Sequence, residues 1–354
     1  MVKYPTMKTT ATTVAAIVNE EIDTRRARYA EYARQTLQDI QNQRTPHYPL
    51  DIRYGGQGYE NYEPIAFFSE DIKHIAHPER RELTIEEYAE AMRLGKIQVT
   101  NEDTVDAAQR ISDFISHKER VAILNMASSS RPGGGFLNGA AAQEESLCRR
   151  STLITTIESF RELYTKDYYP PSLWQTSLRL PSFEKPCDRA KALRPHAIYS
   201  PRVTFFRGSE DSGFSYMSEP FVCDVISSPA YKLPKTGDAS TPLSDYIQRN
   251  TVVAAMMPRI QLLFHVAMYN GCEALVLGAW GCGAYGLDPH LVASMFKAYL
   301  CYDASIIGKD SRLQRIVFAI KTSADNHNVL KDNYSPFRTT FDNPGLLDLA
   351  AIIR

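Results

Sequence analysis

The chain has 354 residues, of which 44% are hydrophobic and 10% aromatic, so it is long enough to bury a substantial core. Its 40 basic and 41 acidic residues leave a formal charge of -1, which excludes a general attraction to nucleic acid. Any anionic partner must therefore be held by a local site. The six cysteines contain no CxxC pair, and we expect them to be free, buried thiols.

The N-terminus gives no targeting signal that the sequence pattern can identify. Its only early apolar stretch, Val14 to Ile17, is too short for the core of a signal peptide. No apolar run is expected to reach the length of a membrane span. These features predict an intracellular protein, cytoplasmic or nuclear, with no membrane partner.

Residues 1–100 predict a helical and irregular extension that packs on a core. Apolar residues have helical spacing from Thr13 to about Gln43, and a segment rich in Pro, Gly and Tyr follows up to Pro64. A short helix is predicted over 82–96, because Thr84 can cap it and Glu87 occupies the capping-box position. A strand follows at 96–101.

Residues 101–354 predict one domain in which strands and helices alternate. The predicted strands are 120–127, 196–207, 220–230, 273–280 and 314–321, and the predicted helices are 105–115, 142–164, 243–271 and 288–300. Short apolar strands between helices favour a three-layer α/β/α fold with a mostly parallel or mixed central sheet. The stretch from Pro170 to Arg194 is interpreted as a loop insertion.

Two glycine-rich loops follow predicted strands and lead into helices. The first has three glycines at 133–135 before a helix that should start near Ala141, and the second, "GAWGCGAYGLDP", ends in Asp288 as an N-cap and Pro289 in the first turn. Ligands collect at the carboxyl ends of strands in such sheets. Because glycines let backbone N–H groups approach phosphate oxygens, two facing loops could clamp a diphosphate.

The second loop also contains a dinucleotide-binding pattern, GxGxxG, at Gly281, Gly283 and Gly286. The acidic residue that such a site needs at the end of the next strand is missing, because Asp303 falls near a helix end. A redox Rossmann enzyme is therefore disfavoured, and a purely structural turn is a further alternative.

A carboxylate pair, Glu144 and Glu145, follows the glycine triplet by seven residues. Acidic residues in a first helical turn are often only a favourable complement to the helix dipole. Next to an anion-binding loop, however, one of them could protonate a leaving oxygen. Burial near a diphosphate and a second carboxylate would raise the pKa of such a group.

The segments "NMASSSRPGGGFLNGAAAQEES" and "LVLGAWGCGAYGLDP" resemble the signature of microbial-type poly(ADP-ribose) glycohydrolases, which have a macrodomain fold. "IYSPRVTFFR" and "VISSPA" are similar to the family's intervening strands, and the resemblance runs from about Asp103 to Ile320. It implies hydrolysis of ADP-ribose polymers with release of ADP-ribose, and reversal of ADP-ribosylation in the DNA damage response.

The resemblance also implies residue roles. Glu145 would be the catalytic acid and Glu144 would bind ribose hydroxyls. Substrate-binding residues would come from both loops: Gly133, Gly134, Gly135, Phe136, Gln143, Gly281, Cys282, Gly283, Ala284 and Tyr285. Tyr285 stands where bacterial relatives more often have Phe. Asn125 and Asn138 flank the triplet and are either ribose contacts or loop stabilisers.

In the implied mechanism, Glu145 protonates the departing hydroxyl and then accepts a proton from the attacking water. Adjacent helical residues cannot occupy opposite faces of a sugar, so Glu144 is not assigned as a nucleophile. No cofactor or metal is expected, and four histidines are interpreted as structural: His196, His265, His290 and His327.

Two other functions stay open: a hydrolase of single ADP-ribose units or of acylated ADP-ribose, and a non-catalytic ADP-ribose reader, against which the intact QEE argues. Binding a polymer would need a local basic patch from Arg131, Arg149 and Arg150, which could equally be solvated surface charges. A monomer without sequence-specific nucleic-acid binding is expected.

Overall fold

The structure, a computed structural model, describes residues 11–50, 64–72, 81–115, 120–164, 195–232, 245–322, 332–347 and 352. Its strands are β1 (Ile65–Phe68), β2 (Ile97–Thr100), β3 (Val121–Met126), β4 (His196–Arg207), β5 (Tyr216–Ser228), β6 (Ala274–Leu277) and β7 (Arg315–Ala319). The α-helices are α1 (Ala11–Gln41), α2 (Ile85–Arg93), α3 (Thr104–Ser112), α4 (Gln143–Arg150), α5 (Leu153–Glu158), α6 (Asp245–Tyr269), α7 (Pro289–Tyr302), α8 (Ala304–Ile307) and α9 (Tyr334–Asp342).

The strands form one mixed sheet in the order β1-β4-β5-β3-β6-β7-β2. The pairs β1–β4 and β4–β5 are antiparallel, and the pairs from β5 through β3, β6 and β7 to β2 are parallel. The carboxyl ends of the parallel strands therefore meet at one edge. This confirms the predicted α/β fold with a mixed central sheet.

Side chains of β3 alternate between two cores because successive residues of a strand point to opposite faces. Val121 and Ile123 pack in the core under α3, α4 and α5, with Leu147 from α4. Ala122 and Leu124 pack in the other core, under α6, α7 and α9. The sheet is thus covered on both faces, as the three-layer prediction requires.

The prediction of one helix over 142–164 was wrong, because the chain breaks at Ser151. This residue has an extended backbone (φ -149°, ψ 177°) and forms a β-bridge with Phe205. The next amide, of Thr152, donates to the carbonyl of Thr204 at 3.0 Å. Pairing with β4 therefore replaces the helical hydrogen bonds, and α4 and α5 form separately.

The domain boundary predicted at residue 100 divides the sheet. Ile65–Phe68 pairs with β4, and Ile97–Thr100 pairs with β7 in the register Ile97↔Ile316. Segments 65–68 and 97–100 therefore supply both outer strands of the sheet, and among the described residues only 11–50 and Pro64 precede its first strand. The strand at 97–100 was predicted, but its partner lies more than 200 residues away and the sequence pattern does not indicate it.

The helix α6 contains a 21-residue stretch, Arg249–Tyr269, that is long and apolar enough to cross a membrane by length and composition alone. The prediction that no run reaches this length was therefore wrong. Most of this stretch is buried inside the protein, and residues such as Leu263 and Phe264 are in the main core. These contacts are those of a core helix.

Local signals at helix starts were read correctly. The side chain of Thr84 accepts a hydrogen bond from the Glu87 amide, and the Glu87 carboxylate accepts one from the Thr84 amide. Asp288 caps α7. Five cysteines are free and buried: Cys148, Cys223, Cys272, Cys282 and Cys301. Cys187 and the predicted insertion from Pro170 to Arg194 lie outside the described residues.

Candidate active site

A cavity of about 770 Å³ opens at the carboxyl edge of the parallel strands. It is bordered by a first loop, residues 127–142 after β3, and by a second loop, residues 278–288 after β6. The ends of β2 and β7 complete the border. The two glycine-rich segments therefore face one cavity, as predicted.

The Gln143 side chain fastens the start of α4 to the end of β3. Its Oε1 accepts a hydrogen bond from the Met126 amide at 2.9 Å, and its Nε2 donates to the Leu124 carbonyl at 2.7 Å. The side-chain amide of Gln143 thus forms one accepting and one donating hydrogen bond with β3, as the backbone of a neighbouring strand would. Gln143 borders the cavity, but its polar atoms are already used to fix the helix.

The Glu144 carboxylate is buried and held by three donors. Its Oε2 accepts from the Ser128 amide at 2.7 Å, and its Oε1 accepts from the Gly133 amide at 3.2 Å and from Asn125 Nδ2 at 3.3 Å. Burial raises the pKa of Glu144 to about 7, although the three donors favour the ionised form. The raised pKa was predicted for the carboxylate that protonates the leaving oxygen, whereas this rise is at Glu144, the residue assigned to the ribose hydroxyls.

The Glu145 carboxylate borders the cavity and accepts one hydrogen bond from the described residues in its surroundings, from the Gly135 amide to Oε1 at 2.9 Å. The surroundings of Gly134 explain why the triplet needs a residue without a side chain at this position. A Cβ there would lie 2.3 Å from Glu145 Oε1 and 3.2 Å from Glu144 Oε2, and its φ of +55° is unfavourable for other residues. The loop can wrap both carboxylates only because residue 134 has no side chain.

The second loop presents its backbone and one aromatic ring to the cavity. Around Gly283, no atom lies within 4 Å of the position that a Cβ would take, so its backbone is open to a ligand. The Tyr285 hydroxyl accepts a hydrogen bond from the Ser129 amide at 3.0 Å and lies 3.4 Å from the Ala127 carbonyl. Tyr285 therefore connects the second loop to the first.

Comparison with known proteins agrees with the family resemblance seen in the sequence. Residues 57–208 match the family model of the microbial-type PARG catalytic domain. Over these residues the chain is similar to a microbial-type PARG catalytic domain. No curated protein matches the chain.

Solved structures extend this likeness over most of the chain. Poly(ADP-ribose) glycohydrolase from Thermomonospora curvata, bound to the inhibitor ADP-HPD, is 28% identical, with a TM-score of 0.57 over 88% of this chain and 98% of that one. The enzyme from Deinococcus radiodurans in complex with ADP-ribose is 26% identical, with a TM-score of 0.55 over 82% of this chain and 99% of that one.

Most predicted site residues border the cavity: Gly134, Gly135, Asn138, Gln143, Glu144, Glu145, Gly281, Gly283, Ala284 and Tyr285. Four others lie behind its wall: Asn125, Gly133, Phe136 and Cys282. Asn125 is fully buried and donates to Glu144 and Ser227, so it supports the position of the glutamate. Phe136 belongs to the core beneath α4, and the Cys282 side chain is buried under the second loop.

Arg149 and Arg150 do not contribute to a basic surface patch, because each is only 1% exposed. Arg150 Nη1 lies 2.7 Å from Asp103 Oδ1, and Arg149 Nη1 donates to the Ala140 carbonyl at 2.7 Å. They are therefore neither a patch nor solvated surface charges. Arg131 is exposed at the cavity rim.

The sequence analysis missed the cavity end that lies over β2 and β7. It is bordered by Glu102, Asp103, Thr104, Ile320, Lys321 and Asn333. Both strands were predicted, and their carboxyl ends were the available signal. Their place in the sheet depends on the order of strands, which local patterns do not contain.

Within the described ranges, no group of three or more His, Cys, Asp and Glu residues is arranged to hold a metal ion. His265 is fully buried, and its Nε2 lies 3.1 Å from the Tyr299 hydroxyl. His327 lies outside the described residues. The candidate site contains the two carboxylates, backbone amides of the loops and the Tyr285 ring.

Proposed function

We propose that the protein hydrolyses the ribose–ribose O-glycosidic bonds of poly(ADP-ribose) and releases ADP-ribose, with Glu145 as general acid and base. One observation carries the proposal: the Glu145 carboxylate borders a cavity that is walled by two glycine-rich loops. The family match and the likeness to poly(ADP-ribose) glycohydrolases with bound ADP-ribose support the substrate class.

The diphosphate of the substrate would lie between the two loops. Backbone N–H groups there can bind phosphate oxygens without a cluster of basic side chains. The open backbone at Gly283 supports this on one side. This arrangement also explains how a chain with a net charge of -1 could bind a polyanion.

The two glutamates would have different tasks. Glu144 has both carboxylate oxygens occupied by three donors, which suits a group that orients ribose hydroxyls and shapes the pocket. Glu145 has one such donor among the described residues, on Oε1, so Oε2 is available for proton transfer. As the glycosidic bond lengthens toward an oxocarbenium-like transition state, Glu145 would protonate the departing hydroxyl and then deprotonate the attacking water.

A double-displacement mechanism with both glutamates is not favoured. Retaining glycosidases place two carboxyl groups on opposite sides of the sugar, about 5 Å apart. Here both carboxylates crowd the same point, the position that a Cβ of Gly134 would occupy. The pair therefore faces the substrate from one side, and a single residue would serve as acid and base.

The biological setting belongs to the proposal as well. The substrate class supports an enzyme that reverses poly(ADP-ribosyl)ation, including in the DNA damage response, and we infer that it acts inside the cell as a monomer. The role requires neither a membrane nor sequence-specific nucleic-acid binding.

The test compares two substrates: an automodified acceptor that bears polymer, and the same acceptor carrying single ADP-ribose units. Release of ADP-ribose is measured for both, and ADP-ribose affinity is measured by calorimetry. We expect rapid release from the polymer and little from the single units. Release from single units alone would establish a mono-ADP-ribosyl hydrolase, and binding without release from either would establish a reader.

A further inference from the structure

The helix α1 touches the active-site loop although it lies outside the family-model match, which begins at residue 57. Gly139, at the end of the first loop, packs directly on the α1 backbone. A Cβ at Gly139 would lie 2.0 Å from the Arg26 carbonyl oxygen. The loop that carries the glycine triplet is therefore pressed against α1.

Arg149 connects α1, the first loop and α4. Its guanidinium lies over the Tyr29 ring of α1 at 4.7 Å and over the Phe214 ring at 5.4 Å. Its Nη1 donates to the Ala140 carbonyl in the first loop at 2.7 Å. From α1, the Thr36 hydroxyl donates to the Arg149 carbonyl at 2.6 Å. Four separate contacts thus fix one buried side chain and its backbone.

Arg149 also stands one helical turn after Glu145. Residues four apart on a helix share a face, so the guanidinium and the Glu145 carboxylate are neighbours with opposite charges. Arg149 therefore holds Ala140 in the loop while its own helix carries Glu145. A change in the guanidinium position would move the loop relative to the carboxylate.

We infer that Arg149, braced by α1, is a positioning residue that sets the geometry between the first loop and Glu145. The inference rests on the proposed function of Glu145. Under this inference, α1 contributes to the geometry of the active site and is more than an extension that packs on the domain. Arg149 itself does not border the cavity, so it acts through Glu145 and the loop.

Arg207 provides a matched control. It is also a buried arginine, at the end of β4, that packs against α1: its Nη2 lies 3.1 Å from Asp39 Oδ2 of α1, and its guanidinium lies over the Tyr216 ring at 3.9 Å. It donates to the Phe214 carbonyl, close to where Arg149 packs. No described contact joins its side chain to the first loop. Replacing it should loosen α1 without directly moving Glu145.

The experiment compares R149K and R207K in the full chain. Turnover and KM are measured on polymer, ADP-ribose affinity by calorimetry, and folding by thermal denaturation. We expect R149K to lose at least tenfold in kcat while its ADP-ribose Kd stays within threefold of the native value. R207K should keep kcat within threefold. If R149K should fail to fold, T36V removes a hydrogen bond to the same residue and should lower kcat in the same direction.

Hydrogen exchange supplies a readout that does not depend on activity. R149K should accelerate exchange at the amides of residues 133–141, including the Gly135 amide that donates to Glu145, whereas R207K should not. If R149K and R207K change kcat and this exchange equally, the inference is overturned and Arg149 is ordinary packing. If the native protein lacks turnover but R149K alone changes the exchange, the proposed function fails and the positioning contact stands.

Discussion

Gly134→Ala tests whether the bare backbone of the triplet exists to make room for the catalytic carboxylates. The new methyl group would start 2.3 Å from Glu145 Oε1 and 3.0 Å from its Cδ. Cβ contacts under 3.0 Å are essentially never found, so the carboxylate or the loop must move by about 0.7 Å. The hydrogen bond from the Gly135 amide would be distorted by the same shift.

The expected effect on catalysis is large. A misplacement of about 1 Å can cost roughly 100-fold in rate, or about 2.7 kcal/mol in activation free energy. We therefore expect G134A to lose about 100-fold in kcat on polymer. Its positive φ should also reduce the free energy of unfolding by about 1 to 2 kcal/mol, because an L-residue is strained in that region.

Gly213→Ala separates the effect of backbone strain at a positive φ from the effect of steric contact with the carboxylates. Gly213 has a φ of +64°, close to that of Gly134, but no atom lies within 4 Å of its Cβ position. Both variants should lose stability, and G213A should keep the native kcat. Rates are measured by ADP-ribose release and stabilities by urea denaturation. A G134A variant that keeps kcat within threefold of the native value would refute the explanation of the triplet.

Three further predictions concern neighbouring groups. Burial raises the pKa of Glu144 from 4.5 to about 7, so its contribution to the free energy of unfolding is complete below pH 4.5 and is lost as the pH rises through 7. Urea denaturation should therefore show the unfolding free energy of the native protein falling by roughly 3 kcal/mol relative to that of E144Q over this pH range. Y285F removes the hydrogen bond from the Ser129 amide, and calorimetry should show ADP-ribose affinity reduced about 2- to 10-fold. R150M leaves Asp103 without its buried partner and should cost about 3 kcal/mol in unfolding free energy.

Each of these has a contradicting outcome. Parallel pH profiles for the native protein and E144Q would exclude the raised pKa of Glu144. Unchanged or tighter ADP-ribose binding in Y285F would mean that the hydroxyl does not organise the loops. For R150M the control is R34M, which breaks an exposed pair with Glu31 and should cost under about 0.5 kcal/mol. Equal losses in the two methionine variants would contradict the account of Arg150.

Local sequence signals predicted helix starts, the two loops that border the cavity and the contact between the glycine triplet and Glu145. Thr84 and Asp288 marked helix starts because capping is decided by a few adjacent residues. The two loops were found together because parallel strands end at the same edge of a sheet. The short spacing between the glycine triplet and Glu145 also indicated a contact that the structure contains.

Long-range contacts explain what the sequence did not indicate. The break at Ser151 depends on pairing with Phe205, more than 50 residues later, and helical periodicity continues through it. Arg149 and Arg150 look like surface charges in the sequence, but α1 and Asp103 bury them. Asn125 flanks the triplet like a ligand contact, yet its position in a central strand directs it to Glu144.

The most direct test of the central claim is single-turnover release of ADP-ribose from a polymer-bearing acceptor by the native protein and E145Q, with ADP-ribose affinity measured on both. The account predicts that E145Q binds ADP-ribose within a few-fold of the native affinity and releases it at least 100-fold more slowly, because general acid–base catalysis is worth that much. An E145Q variant that releases ADP-ribose at the native rate would contradict the assignment of Glu145 as the catalytic acid.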